Sequence, residues 1–269
     1  MKKSTKVIVA VILLVGLTAF AAVIVHNYQT KTSFKHTANQ EVDASEAVAE
    51  DNSQDAVNAK VNEVAKSQDK NKPAGKNPEI LNINSSDHVY GDKNAAVKII
   101  EYASLSCPHC ADFYKDGFNK LKDDFIKTNK VAFVYRNFPL NQPALVAAML
   151  AQCKAKLDKE NPAEAYNNFV KILFKTQENW AFDKQFLEKL EGIAKLDGFS
   201  TEEFNTCTKD TKLQQEILTA RMAAAQDLQI QSTPTFFVNG ERLEGYADYQ
   251  TLENLIKKKL AEAEAKNKK

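Results

Sequence analysis

Apolar residues are spread unevenly along this chain. They form one unbroken block near the N-terminus, thin out from about Thr30 to Asn77, and then recur with the periods of strands and helices. In that third region Val97-Lys98-Ile99-Ile100-Glu101-Tyr102 has the β-branched content and length of a strand, and Val131-Ala132-Phe133-Val134-Tyr135 repeats that character. Between them Tyr114, Phe118, Leu121 and Phe125 recur at i, i+4, i+7 and i+11, the spacing of one helical face. Strand, helix and strand in this order predict a βαβ unit whose two strands run parallel.

From Asn141 to Gln231 the pattern reads as about five helical segments with clear punctuation. Asn161-Pro162 predicts an N-cap followed by proline in the first turn, and Ser200 with Glu203 predicts a capping box. Gly198 predicts the stop of a helix around Lys184 to Leu196. Strand character returns at Thr235-Phe236-Phe237-Val238, followed by Asn239-Gly240, a strong hairpin signal. A last helix over about Tyr249 to Ala263 carries Leu252, Leu255, Ile256 and Leu260 on one side. The strands thus fall in two blocks, within 78–140 and 232–265, separated by 91 residues of predicted helix at 141–231. The expected fold is α/β, a small sheet with an all-helical insertion, in a domain running from 78 to 269.

The N-terminal block changes where this domain is expected to reside. Lys2, Lys3 and Lys6 precede Val7 to Val25, 19 residues without a charge, which read as a membrane-targeting segment over 1–25. Two fates are open. Its length approaches the roughly 20 residues that span a bilayer, whereas Ala19-Phe20-Ala21 is a small-x-small cleavage signal. In both cases the lysines stay inside and the remaining chain is delivered out of the cytoplasm, where disulfides are permitted. Residues 26–77, polar and without a sustained helical period, read as a disordered tether.

Composition removes several function classes. Lys plus Arg number 36 and Asp plus Glu 35, so a net charge of +1 supplies no electrostatic attraction for nucleic acid. Only 8 glycines occur and no Gly-x-Gly-x-x-Gly is present, which leaves a dinucleotide-binding fold unsupported. Gly240 and Gly245 have P-loop spacing, but Tyr246 and Ala247 stand where a phosphate-binding Lys and a Ser or Thr are required. His88 and His109 are the only histidines of the predicted domain, too few for a His-rich zinc site. No cofactor and no metal are expected.

The chemistry is expected at Cys107-Pro108-His109-Cys110, between a strand and a helix start. Unpaired N–H groups and a partial positive charge at a helix N-terminus favour a thiolate at Cys107. Thiols in such settings fall to roughly 3.5 to 7.5, from about 8.5, and a protonated or donating His109 would add to the effect. A stabilised thiolate favours the reduced form, so the corresponding disulfide is an oxidant. Cys110, one turn inward, would act as the resolving thiol. Half of a zinc site is the competing reading, but Cys153 and Cys207 stand far apart, each alone in a predicted helix.

These residues resemble the DsbA family of thiol:disulfide oxidoreductases, built on the thioredoxin fold. The resemblance rests on Cys107-Pro108-His109-Cys110, on Glu101 six positions before the first cysteine, on Thr233-Pro234-Thr235-Phe236-Phe237 late in the chain, and on the helical insertion. It covers about Asp87 to Leu260. It implies that Pro234 is cis and packs beside the Cys107-Cys110 pair, and that the Thr233 backbone pairs with an extended substrate. It also implies that a buried Glu101 accepts the proton of Cys110, whereas strand alternation alone would equally allow a solvent-facing Glu101. Cys153 and Cys207 resemble a second pair found in the insertion of some family members and are expected to form a structural disulfide; two buried free thiols are the alternative. Strongly oxidising members commonly carry valine at the position of Thr233, which leaves the direction of electron flow open.

The leading expectation is a periplasmic enzyme, secreted or anchored through Val7 to Val25, that donates the Cys107-Cys110 disulfide to reduced or unfolded exported polypeptides and is reoxidised by a membrane partner of the DsbB type. An isomerase or reductase of the same fold is the alternative. A membrane-tethered chaperone or binding module, in which the disulfide is only structural, is the alternative from another class.

Overall fold

The computed structural model describes residues 78–245 and 248–267. The membrane-targeting segment and the tether expected from the sequence lie outside the described residues. Among the described residues no helix is long and apolar enough to cross a membrane.

Five strands form one sheet: β1 (Val89–Tyr90), β2 (Val97–Ala103), β3 (Val131–Asn137), β4 (Thr235–Val238) and β5 (Glu241–Glu244), in the spatial order β1-β3-β2-β4-β5. β2 and β3 are parallel, in register from Val97 opposite Val131 to Ala103 opposite Asn137. β4 adds antiparallel to β2, and β5 antiparallel to β4. The two sequence blocks of strands therefore meet in the middle of one sheet. Strands covered on both faces read as nearly continuous apolar runs, and β2 does so because Ile99 and Ala103 enter one core cluster while Ile100 and Tyr102 enter the other. Alternation then places Glu101 on the face of Ile99 and Ala103.

The crossover from β2 to β3 is a helical run of four pieces, α1 (Pro108–Asp112), a π-helical turn (Phe113–Gly117), α2 (Phe118–Leu121) and a second π-helical turn (Lys122–Ile126). Tyr114, Phe118, Leu121 and Phe125 are all buried, as their spacing predicted, but Phe113 is buried beside them. Cys110, Phe113, Tyr114, Gly117, Phe118 and Leu121 follow the i, i+3, i+4, i+7, i+8, i+11 spacing of one broad helical face. Tyr114 stacks between Phe118 and Phe174, with ring centroids 4.8 and 4.3 Å away, and thereby ties the active helix to the insertion.

The insertion comprises α3 (Gln142–Leu157), α4 (Pro162–Lys175), α5 (Phe186–Leu196), α6 (Thr201–Thr208) and α7 (Thr211–Asp227). Ser200 and Glu203 form the reciprocal capping box, and Gly198 ends α5 with φ at +93°. Asn161 occupies the N-cap position of α4, but its side chain makes no capping bond. Asp158 Oδ1 instead accepts the N–H groups of Glu160 and Asn161, which closes the turn one step earlier. The β4–β5 hairpin turns through Asn239 and Gly240, both at positive φ, as a two-residue type I′ turn requires. Asn239 also accepts from Lys98 N–H and donates to Ala96 carbonyl, which stitches the hairpin to β2. The C-terminal helix α8 (Tyr249–Asn267) buries Leu252 and Ile256 against the same core.

Cys153 on α3 and Cys207 on α6 form a disulfide with a sequence separation of 54. By loop-closure entropy a ring of this size contributes at most about 4 kcal/mol. Replacing both cysteines with alanine is therefore expected to lower the free energy of unfolding by up to that amount, read from denaturant midpoints, while thiol exchange at the Cys107-Cys110 pair continues at an unchanged rate.

Candidate active site

The turn between β2 and α1 is four residues long, Ser104 to Cys107, and its own polar groups shape it. Cys107 N–H donates to the Ser104 carbonyl at 3.0 Å, while Ser104 Oγ accepts the N–H groups of Ser106 and Leu140 at 3.3 Å each. Cys107 emerges as the N-cap of α1 with extended backbone, φ −82° and ψ 122°, and Pro108 follows at the first helical position. Proline is suited there because that N–H has no partner within the helix.

Cys107 and Cys110 are both thiols in this structure, and both are buried. Their surroundings pull them apart. A hydrogen bond from the Cys110 thiol, the Thr233 side chain, and the N–H groups of Cys110 and His109 together bring the Cys107 thiol down to about 6, against a burial effect of opposite sign. Cys110 is driven well above the ordinary thiol value, first by burial and then by its bond to Cys107 and by the nearby Glu101 charge. One turn of helix thus holds a thiol poised as thiolate and a thiol held protonated.

Thr233 and Pro234 lie against this pair, from the opposite end of the chain. The Thr233–Pro234 peptide bond is cis, and the Thr233 carbonyl lies 3.3 Å from Cys107 Sγ. The Thr233 hydroxyl is buried beside the sulfur and favours its thiolate. His109 is placed differently from the expectation that its ring would act on the sulfur. The ring is 74% exposed and lies 3.6 Å from Asp112, so His109 acts on Cys107 through its backbone N–H.

Glu101 is fully buried, and neither carboxyl oxygen has a hydrogen-bond partner by geometry. Burial first, then the charge of Cys107, pushes its pKa well above the usual carboxylate range and favours the protonated form. Tyr114, whose buried hydroxyl acts on Glu101 against the effect of burial, and Tyr135, whose hydroxyl donates to the Ala103 carbonyl at 3.2 Å, face the same region. The site has one further member. Gln177, buried in a short 3-10 turn (Gln177–Asn179), donates from Nε2 to the carbonyls of Leu105 at 2.7 Å and Cys107 at 3.0 Å. No local motif marks it, since its role arises from an insertion segment folding back onto the turn. Trp180, three residues on, is fully buried and fills the core.

Among the described residues no cluster of three His, Cys, Asp or Glu side chains could hold a metal ion. Two clefts among the described residues lie away from the cysteine pair. One of about 640 Å³ opens near Gly91 and Pro162, the other of about 590 Å³ near Asp87 and Arg136.

The family model for thioredoxin matches residues 84–258. A Rickettsia typhi protein named "Putative protein-disulfide oxidoreductase" is 34% identical over 165 residues, which cover 61% of this chain and 59% of that protein. The chain thus spans about three fifths of the length of that relative. The crystal structure of Wolbachia pipientis α-DsbA1 superposes with a TM-score of 0.65 at 32% identity, covering 70% of this chain and 98% of that one. Oxidised BdbD from Bacillus subtilis superposes with a TM-score of 0.59 at 25% identity, covering 71% of this chain and 100% of that one.

The Cys107 thiol is expected to titrate near pH 6, followed by the ultraviolet absorbance of the thiolate. A depressed thiol pKa adds stability to the folded reduced protein above the unfolded value of about 8.5, and that stability is lost as pH falls through about 6. Denaturant melts should therefore find the reduced form more stable than the disulfide form at about pH 8, with the gap narrowing toward about pH 5. A gap that does not change with pH would contradict this assignment.

Proposed function

The chain is a DsbA-like member of the thioredoxin family, and from that premise we propose that it is a protein-disulfide oxidoreductase that donates the Cys107-Cys110 disulfide to exported polypeptides. The observation that carries this reading is the opposed environment of two thiols within one helical turn, one lowered to about 6 and one raised. A purely structural disulfide has no need of that asymmetry, whereas an exchange catalyst depends on it because the better leaving thiolate departs faster.

In the proposed cycle a client thiolate attacks Cys107 Sγ of the enzyme disulfide. The Cys107–Cys110 bond breaks, a mixed disulfide forms, and the electron pair leaves on Cys110. Cys110 is strongly disfavoured as an anion where it lies, and the protonated Glu101 is placed to supply its proton. A second client thiolate then attacks the client sulfur of the mixed disulfide, and Cys107 departs as the stable thiolate. Two client thiols have become one disulfide and the enzyme holds one thiolate and one thiol; of the two client protons, one replaces the proton that Glu101 gave to Cys110 and the other passes to water.

The other residues take supporting roles. Pro108 starts the helix without a wasted N–H, and the His109 and Cys110 amides stabilise the departing Cys107. Pro234 shapes the strand entrance beside the pair, and the Thr233 backbone is placed to pair with an extended client. The domain is delivered outside the cytoplasm, in the periplasm, by the segment from Val7 to Val25, either as a cleaved signal or as an anchor. Turnover requires an acceptor of two electrons, which a membrane partner of the DsbB type would supply.

The test separates nucleophile from resolving thiol. Cys110→Ala is expected to accumulate covalent adducts between Cys107 and client proteins, visible as high-mass bands that vanish with reductant. Cys107→Ala is expected to abolish adducts and to reduce turnover by at least about 10³-fold, the order of loss typical when a nucleophile is removed. Adducts that map to Cys153 or Cys207 instead would defeat the proposal.

A further inference from the structure

Gln177 belongs to the insertion, yet its side chain spends both amide protons on the active-site turn. It is only 4% exposed, and its two acceptors, the carbonyls of Leu105 and Cys107, lie 72 and 70 residues away in sequence. Two carbonyl acceptors admit only the amide nitrogen at that position, so the orientation of the group is set by its partners. The segment that carries it is itself held. The Gln177 carbonyl accepts the N–H groups of Trp180 at 3.1 Å and Ala181 at 2.9 Å, and Trp180 Nε1 donates to the Leu173 carbonyl at 3.2 Å.

The Cys107 carbonyl is the other half of the observation. It also accepts the Ala111 N–H at 3.2 Å, the bond that opens the helix. This carbonyl belongs to the residue whose sulfur carries the negative charge, and its partial negative oxygen opposes that charge wherever it is left without donors. Gln177 supplies a second donor to it and a donor to the carbonyl two residues earlier. The turn is thereby fixed with the carbonyls directed toward the insertion, and the N–H groups of His109 and Cys110 remain free for the sulfur.

We infer that Gln177 is a positioning residue through which the helical insertion sets the thiolate character, and hence the exchange equilibrium, of Cys107. The inference rests on the exchange function proposed above and adds to it a dependence on a residue outside both thioredoxin halves. A tie that served only to dock the insertion would contribute stability without altering the sulfur.

Three variants of the full chain distinguish these roles. Gln177→Met keeps the length of the side chain and removes both donors; Gln177→Asn keeps the amide but withdraws it by one methylene; Trp180→Phe deletes a hydrogen bond in the same segment without touching the turn. Each is measured for the pH titration of the Cys107 thiolate, the equilibrium with a glutathione series, and the denaturant midpoint. Gln177→Met is expected to raise the titration midpoint by about 0.5 pH unit and to shift the glutathione equilibrium about threefold toward the disulfide, since one unit corresponds to tenfold. Gln177→Asn shifts both in the same direction by less, and carries the test if the Met variant does not fold. Trp180→Phe lowers the midpoint of unfolding and leaves titration and equilibrium where they are. If Gln177→Met and Gln177→Asn lose stability while the titration stays put, Gln177 is a structural tie and the inference is overturned. An ordinary thiol titration in the unaltered protein would instead overturn the exchange function itself, and the inference with it.

Discussion

The constraint on which this structure turns is that Cys107 is a good thiolate only while Cys110 is a poor one. The first contribution to the lowered Cys107 thiol is a hydrogen bond from the Cys110 thiol, and that bond exists only if Cys110 keeps its proton. Burial is what keeps it there. The active helix must therefore be sunk into a core within one turn of its start, while its N-cap Cys107 lies beside the buried segment of Thr233 and Pro234. Phe113, Tyr114 and Phe118 provide that core on the sheet side, and the stacking of Tyr114 on Phe174 closes it from the insertion. Phe113 and Tyr114, three and four residues after Cys110, share its inward face.

Covering both faces of the sheet has a second consequence. All of β2 except Lys98 is buried on one side or the other, and the position of Glu101 puts a carboxyl beneath the cysteine pair with no hydrogen-bond partner by geometry. An ionised carboxylate in such a place is strongly disfavoured, and the group keeps its proton instead. The burial that protonates Cys110 and the burial that protonates Glu101 are thus one arrangement of the same core.

Much of this was legible in the chain. The βαβ unit, the helical insertion, the Asn239-Gly240 hairpin and the Cys-x-x-Cys at a helix start follow from local patterns, since each depends on residues close in sequence. What was not legible depends on tertiary contact. Strand alternation left two faces open for Glu101, and only the pairing of β2 with strands on both sides decides between them. Asn161 carries the sequence signature of a cap, but its side chain makes no capping bond, and Asp158 closes the preceding turn through the N–H groups of Glu160 and Asn161. The two-residue strand β1 is too short for any pattern, and exists because β3 offers it an edge. His109 looked like a donor to the sulfur, whereas its ring turns to solvent beside Asp112. Gln177 has no motif at all, because its partners lie some seventy residues away.

The three titratable groups at the centre of the site also cannot be treated separately. The charge on Cys107 raises Glu101, and the charge on Glu101 raises Cys110. Such a cluster favours a single negative charge, and the N–H groups of His109 and Cys110 locate it on Cys107. When the pair forms a disulfide the Cys107 charge disappears, and with it one of the two influences that hold the proton on Glu101. Reduction restores that charge and tightens the proton again. The carboxyl therefore binds its proton more weakly in the disulfide form than in the thiolate form, so proton affinity at Glu101 and electron affinity at the cysteine pair are linked through one electrostatic contact. A buried acid with no hydrogen-bond partner by geometry is costly as a structural element. As a group whose proton affinity follows the oxidation state one helical turn above it, it has a physical reason to be there.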